Sequence, residues 1–276
     1  MSGEHSVALL CATLGVSRAG YYAWQQRRLQ PCARAQENDA LTVRIRTVFR
    51  VMEGRYGSPR IARELRCPGS RNRIARLMHE HSLWARQKSK YRVRTTDSRH
   101  GGPIAPNLLP ELTITAPDQA WGSDATYVLT GQGWLYLVVM LDLYSRRVLG
   151  WAMGPNLDAQ LMLDALQMAI DRRRPKPGLI VHSDRGAQYA SADYRQLLGK
   201  YGLIASMSRK GNCYDNAFVE SFWSSLKYET VYHRRFDTRA EAKAALFDYI
   251  EVFYNRTRLH SSLGYMSPIT FESQLN

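Results

Sequence analysis

Residues 121–153 read WGSDATYVLTGQGWLYLVVMLDLYSRRVLGWAM. Trp121–Leu129 reads as a strand, and Gly131-Gln132-Gly133 after it is a turn signal. Trp134–Leu143 is a second, strongly apolar strand, and Ser145-Arg146-Arg147 turns into a third, Val148–Met153. Three runs joined by short turns predict an antiparallel meander. Further along, Asp158–Arg173 is amphipathic at helical spacing, with Leu161, Leu163, Leu166, Met168 and Ile170. Leu179–Ser183 reads as a short buried strand, Ser191–Tyr201 as a helix and Leu203–Met207 as a strand. Tyr214–Tyr232 and Arg239–Thr257 read as helices.

Meander, helix, strand, helix, strand, helix is the order of an RNase H-like α/β fold. The expected core, residues 116–276, is therefore a mixed five-stranded sheet with flanking helices and a C-terminal helical extension. Residues 98–115, with Pro103 and Pro110, read as a linker. Residues 1–97 read as small helical units near 6–28 and 38–96. In the first, Gly15 ends one helix and Ser17 caps the next, the outline of a helix-turn-helix. In the second, Ile45, Val48, Phe49 and Met52 recur at near-helical spacing, Pro59 suits a first helical turn, and Ile74, Leu77 and Met78 follow.

The chain has 276 residues and a formal net charge of +14. Residues 1–110 hold 20 Lys+Arg against 7 Asp+Glu, and the remainder 18 against 17. A basic front attracts phosphate backbones and releases counterions on binding, so nucleic acid is the expected partner. Residues 86–99, with Lys88, Lys90, Arg92 and Arg94, read as a basic arm. Arg18 and Arg60 begin helices in this region. Cys11, Cys32, Cys67 and Cys213 show neither CxxC pairing nor zinc-finger spacing, and read as thiols of a reducing compartment. No apolar run suits a membrane span or a signal peptide, so the expected location is the cytoplasm.

Three acids carry the expected chemistry: Asp124 in mid-strand, Asp184 at a strand end, and Glu220 on a helix. Cutting a phosphodiester needs charge neutralised on the attacking and leaving oxygens, and hard divalent ions held by a few carboxylates do this. Asn216, Glu220 and Lys227 recur on one helix face at about 100° per residue. That face is either a ligand beside a phosphate-contacting lysine or a solvated polar stripe. Phe218, Phe222, Trp223 and Leu226 are expected to bury the other side. Asp142 reads as a further ligand or as the residue fixing the turn at Ser145-Arg146. Asp215 reads as a helix N-terminal charge. His182 either orients a water or packs in its strand. Arg209-Lys210-Gly211-Asn212 either clamps a strand or is a solvated loop. Arg256, Arg258 and His260 either bind phosphate or cap the last helix.

Together these residues resemble the OrfB-type transposases of insertion-sequence family three, relatives of retroviral integrases. The resemblance spans essentially the whole chain. Trp121, Asp124, Thr126 and Tyr127 match the family's first strand motif. His182, Ser183, Asp184, Gly186, Gln188 and Tyr189 match the second. Asp215, Asn216, Ala217, Glu220, Ser221, Phe222, Leu226, Lys227 and Glu229 match the third. Tyr254, Asn255, Arg258, His260, Ser261, Leu263, Gly264 and Tyr265 match the tail.

The resemblance implies a catalytic triad of Asp124, Asp184 and Glu220 binding two Mg²⁺ ions, with Mn²⁺ as a substitute. It also implies cleavage at transposon ends and transfer of the 3′-hydroxyl into target DNA. Double-stranded end and target DNA are the implied partners, and Lys227 the implied end contact. Asn216, Arg209, Lys210, Gln188, Arg18, Arg60, Arg258 and His260 are the further candidates for DNA contact. At least a dimer is expected in the active complex, with a helix-turn-helix product of an upstream frame as partner or fusion. The expected setting is a bacterial cytoplasm, at the nucleoid.

Overall fold

The computed structural model describes residues 5–29, 32–86, 103–209 and 217–275. Most of the basic arm, Asp215 and the candidates Lys210 and Asn216 lie outside the described residues. The chain divides into two compact units, Met1–Arg86 and Gln87–Asn276.

In the first unit, α1 (Val7–Thr13) is capped by Ser6, whose hydroxyl accepts the Leu9 amide at 3.3 Å. Gly15, at φ +65°, turns the chain into α2 (Arg18–Leu29). Ser17 accepts the Gly20 amide at 3.0 Å, the capping its position predicts. Three helices follow: α3 (Ala33–Val51), α4 (Ser58–Glu64, Pro59 in its first turn) and α5 (Arg71–Glu80). Ile45, Tyr56, Ile61, Ile74, Leu77 and Met78 are buried among them.

The second unit is built on one sheet: β1 (Ala120–Thr130), β2 (Gly133–Asp142), β3 (Val148–Gly154), β4 (Ile180–Ser183) and β5 (Ile204–Met207). Its order is β3-β2-β1-β4-β5. The first three strands pair antiparallel, and β4 joins β1 and β5 in parallel, which is the RNase H-like arrangement. Side-chain alternation covers both faces. On one face Trp121, Val138 and Met140 pack with α6 (Ala159–Arg173) and α7 (Ala192–Lys200). Gly150 is required there, because a Cβ would collide with the Ala165 carbonyl of α6. On the other, Leu135, Leu137, Val139 and Leu141 are fully buried. There α8 (Ala217–Glu229) meets β1, and α9 (Arg239–Phe247) meets β1 and β2.

Two local expectations are corrected. The helix read over 239–257 is α9 followed by a π-helical segment, Asp248–Tyr254. Its wider turn carries Asn255 inward, where its side-chain amide takes 3.0 Å and donates 2.9 Å hydrogen bonds to the Val148 backbone. Phe218 is not buried: it is 40% exposed, while Val219, Phe222, Trp223 and Leu226 form the inner face of α8. The Arg146 guanidinium lies 3.5 Å from the Phe218 ring centre, which gives that exposed ring its partner. The short α10 (Pro268–Ser273) ends the unit, and its Glu272 takes ion pairs from Arg147 and Arg173. No helix of the described residues is long and apolar enough to cross a membrane.

Candidate catalytic site

The parallel register sets the site. Gly122 of β1 lies opposite His182 of β4. Asp124 lies two residues further along β1, and Asp184 directly follows Ser183, the last residue of β4, so the two acids lie toward the same end of this parallel pair. Asp124 is held on both oxygens: Oδ1 accepts the Ala125 amide at 2.8 Å and Oδ2 the indole N–H of Trp223 at 2.9 Å. Trp223 lies three residues after Glu220 on α8, so this bond ties the helix bearing the third acid to the strand bearing the first. Asp184 Oδ1 accepts the Gly186 amide at 2.9 Å, an Asx turn that fixes its carboxylate.

Burial first, then the charge of Asp184 and that of Glu220, push the Asp124 carboxyl up to about 7. The three acids therefore share one electrostatic neighbourhood. Among the described residues, no three such side chains stand close enough to hold one ion. The donor set nevertheless suits a hard divalent cation. It is all carboxylate oxygen, and it is crowded by a like-charge repulsion that a cation removes.

Lys227 is half-buried, with its ammonium 5.5 Å from the Tyr127 ring centre. Burial lowers its pKa, and the charge of Asp124 opposes that. Gln188 donates to the Leu157 carbonyl at 3.3 Å and lies at the Asp184 turn. The hydroxyls of Tyr189 and Ser123 are buried and bonded to each other at 3.0 Å. Arg209 and Arg18 are exposed, and Arg60 is half-buried over Tyr56 at 5.4 Å.

Several sequence candidates have other employment. Arg258 and His260, expected among the DNA contacts, are buried. Arg258 reaches both oxygens of Glu229, at 2.7 and 2.8 Å, and Ser225 at 2.9 Å, while His260 packs edge-on against Tyr254. A guanidinium so engaged in the interior cannot present itself to a phosphate. Asp142 is fully buried and accepts the amides of Asp118, Tyr144 and Ser145, which makes it the turn-fixing residue. His182 packs in its strand, each ring nitrogen bonded to a serine of the neighbouring chain segment: Ser206 at 2.9 Å and Ser208 at 3.0 Å. Trp223 as the partner of Asp124 was missed by sequence reasoning. Its signal was the three-residue step from Glu220.

Comparison with known proteins agrees along the chain. A model of an HTH-like domain matches residues 36–91, and two models of the integrase core domain match 114–213 and 220–275. The insertion element IS600 uncharacterized 31 kDa protein of Shigella sonnei is 46% identical over 269 residues, 96% of this chain and 98% of that one. The transposase InsF for insertion sequence IS3A of Escherichia coli K12 is 42% identical over 275 residues, covering 98% and 95%. Among solved structures, a chain of the simian T-cell lymphotropic virus intasome in complex with PP2A regulatory subunit B56 gamma aligns with TM-score 0.47 and 15% identity, over 82% of this chain and 73% of that one.

Proposed function

Since this chain belongs to the transposases of insertion-sequence family three, we propose that it cleaves DNA at transposon ends and joins the freed 3′-hydroxyl to target DNA, with Asp124, Asp184 and Glu220 as its catalytic triad. The observation that supports this reading is the placement of Asp124 and Asp184 toward the same end of the parallel β1–β4 pair, with the helix of Glu220 bonded to Asp124 through Trp223.

The three carboxylates would hold two divalent ions, Mg²⁺ or Mn²⁺, which when bound supply charge neutralisation to the attacking and leaving oxygens. The rest falls to the chain. Without a cation, Asp124 keeps a proton up to about pH 7, so the cluster avoids three adjacent charges. Lys227 adds positive potential where the scissile phosphate would lie. In this reading water, and then the DNA 3′-hydroxyl, is the attacking group, each forming one P–O bond as another breaks. No protein–DNA ester arises.

The basic helical region before the core would hold the element end, releasing counterions as it binds. Arg18, Arg60 and Arg209 remain candidates for phosphate contact, while Arg258 and His260 are withdrawn. Joining two ends in one event calls for at least two copies of the chain. The test is Glu220→Gln. End cleavage and joining of pre-cut ends should both vanish, while end binding by mobility shift persists. Lost binding in a folded variant would overturn the assigned role. A wild type that cuts ends yet never joins pre-cut ones would make the protein a nuclease instead.

A further inference from the structure

Along β1 and β2, Tyr127 stands opposite Tyr136, and Leu129 opposite Trp134. Alternation puts all four on one face, at the hairpin's outer end. Trp134 is 45% exposed and Leu129 63%. The aromatic rings touch: Tyr127 meets Trp134 edge-on at 4.8 Å and Tyr136 at 6.4 Å. A second aromatic pair spans the end of α8, where Tyr228 in its last turn meets Tyr232 at 5.0 Å and Tyr232 is 56% exposed. Cations adjoin the first pair: Lys227 lies over Tyr127 at 5.5 Å, and Arg239 donates to the Trp134 carbonyl at 3.0 Å. Lys227 stands one helical turn after Trp223 on α8, so the helix that holds Asp124 through its indole also reaches the strip through its lysine.

We propose that this strip, with Trp134 and Tyr232 as its exposed faces, is a stacking platform for unpaired nucleotides of the DNA strand that enters the carboxylate site. The proposal rests on the transposase reading above and names what holds the strand there. The occupant follows from the chemistry. Interleaved aromatic faces and cations match alternating bases and phosphates, and stacking accepts any base because every base has a π-face. A strand end that opens to reach the carboxylates gives up its own stacking, and exposed indole and phenol rings replace it.

The test uses the full chain and a strand carrying 2-aminopurine, offered single-stranded and as the fully paired duplex. The wild type should quench the single-stranded probe. Trp134→Ala and, separately, Tyr232→Ala should each weaken that probe about ten-fold, in line with stacking on one ring, and change duplex affinity by less than about two-fold. Trp134→Phe should restore most of the loss. Near-UV ellipticity identifies a variant that has failed to fold, and the other variant then carries the test. Equal losses on both probes, or quenching that survives both alanines, overturns the proposal. So does a shift in sedimentation with unchanged quenching, which would make the strip a contact between copies. Glu220→Gln should quench like the wild type. If it also still cleaves, the triad is wrong while the platform stands.

Discussion

Replacing Asp124 by Asn tests whether the three carboxylates crowd one another in the metal-free protein. The carboxyl moves from its ordinary 3.8 to about 7, through burial first and then the charges of Asp184 and Glu220. A displacement of that size sets a ceiling of about 4 kcal/mol. Asp124 is only half-buried, so water screening lowers the realised figure below that ceiling. A carboxyl whose folded value lies above its unfolded one stabilises the fold fully below about pH 4. It loses that contribution as the pH rises through about 7, and the curve is flat beyond. The amide that replaces it cannot titrate, and its altered bonds to Ala125 and Trp223 give an offset that does not vary with pH. Denaturant unfolding of both proteins in chelator, followed by the fluorescence of the buried Trp121 and its neighbours, gives the difference curve. That curve should climb in favour of Asp124→Asn between pH 4 and 7.5, by at least about 1 kcal/mol and at most about 4. Shifted groups that do not feel the charge of Asp124 are common to both proteins and cancel, and Tyr189, which does feel it, is held well above its ordinary value of 10.0 and so outside the window. Millimolar Mg²⁺ at pH 7.5 should then stabilise the wild type more than the variant, by mass action on the folded state. A flat difference curve would refute the shared neighbourhood and with it the basis of the triad.

Arg258→Met leaves Glu229 buried without its cation and should cost about 3–5 kcal/mol of stability. End-DNA affinity of the folded fraction should be unchanged, and weaker binding at unaltered stability would return Arg258 to the DNA surface. Asn255→Ala strips both partners from the buried Val148 backbone and should cost about 2–5 kcal/mol. Thermal midpoints that do not move would show that the π-helical segment is not held by this amide. Burial raises the Glu272 carboxyl, but hydrogen bonds from Ser145 and Arg147 and the charge of Arg173 outweigh it and hold it below the usual range. A carboxyl lowered on folding stabilises above its unfolded value near 4.5 and loses that contribution as the pH falls. Glu272→Gln should therefore destabilise at pH 7 and differ little from the wild type at pH 3, and equal losses at both would contradict the ion-pair account.

Element order and the identity of the acids are legible in the chain alone. Period-two and period-3.6 patterns report which faces are apolar, and the meander at 121–153 leaves few sheets that β4 and β5 can join. The motif around each acid likewise states its neighbours along the chain. What it could not state was which polar side chains are inside. Arg258 and an exposed arginine look alike until Glu229, 29 positions earlier, is brought against it. Asn255 reads as a surface amide until the π-helical segment turns it onto β3. Phe218 and Trp223 both fit an apolar helix face, yet one stacks under Arg146 in the open and the other holds a carboxylate. Long-range packing settles these cases, because periodicity is a local signal, whereas the burial of a polar group depends on a partner delivered from elsewhere in the chain.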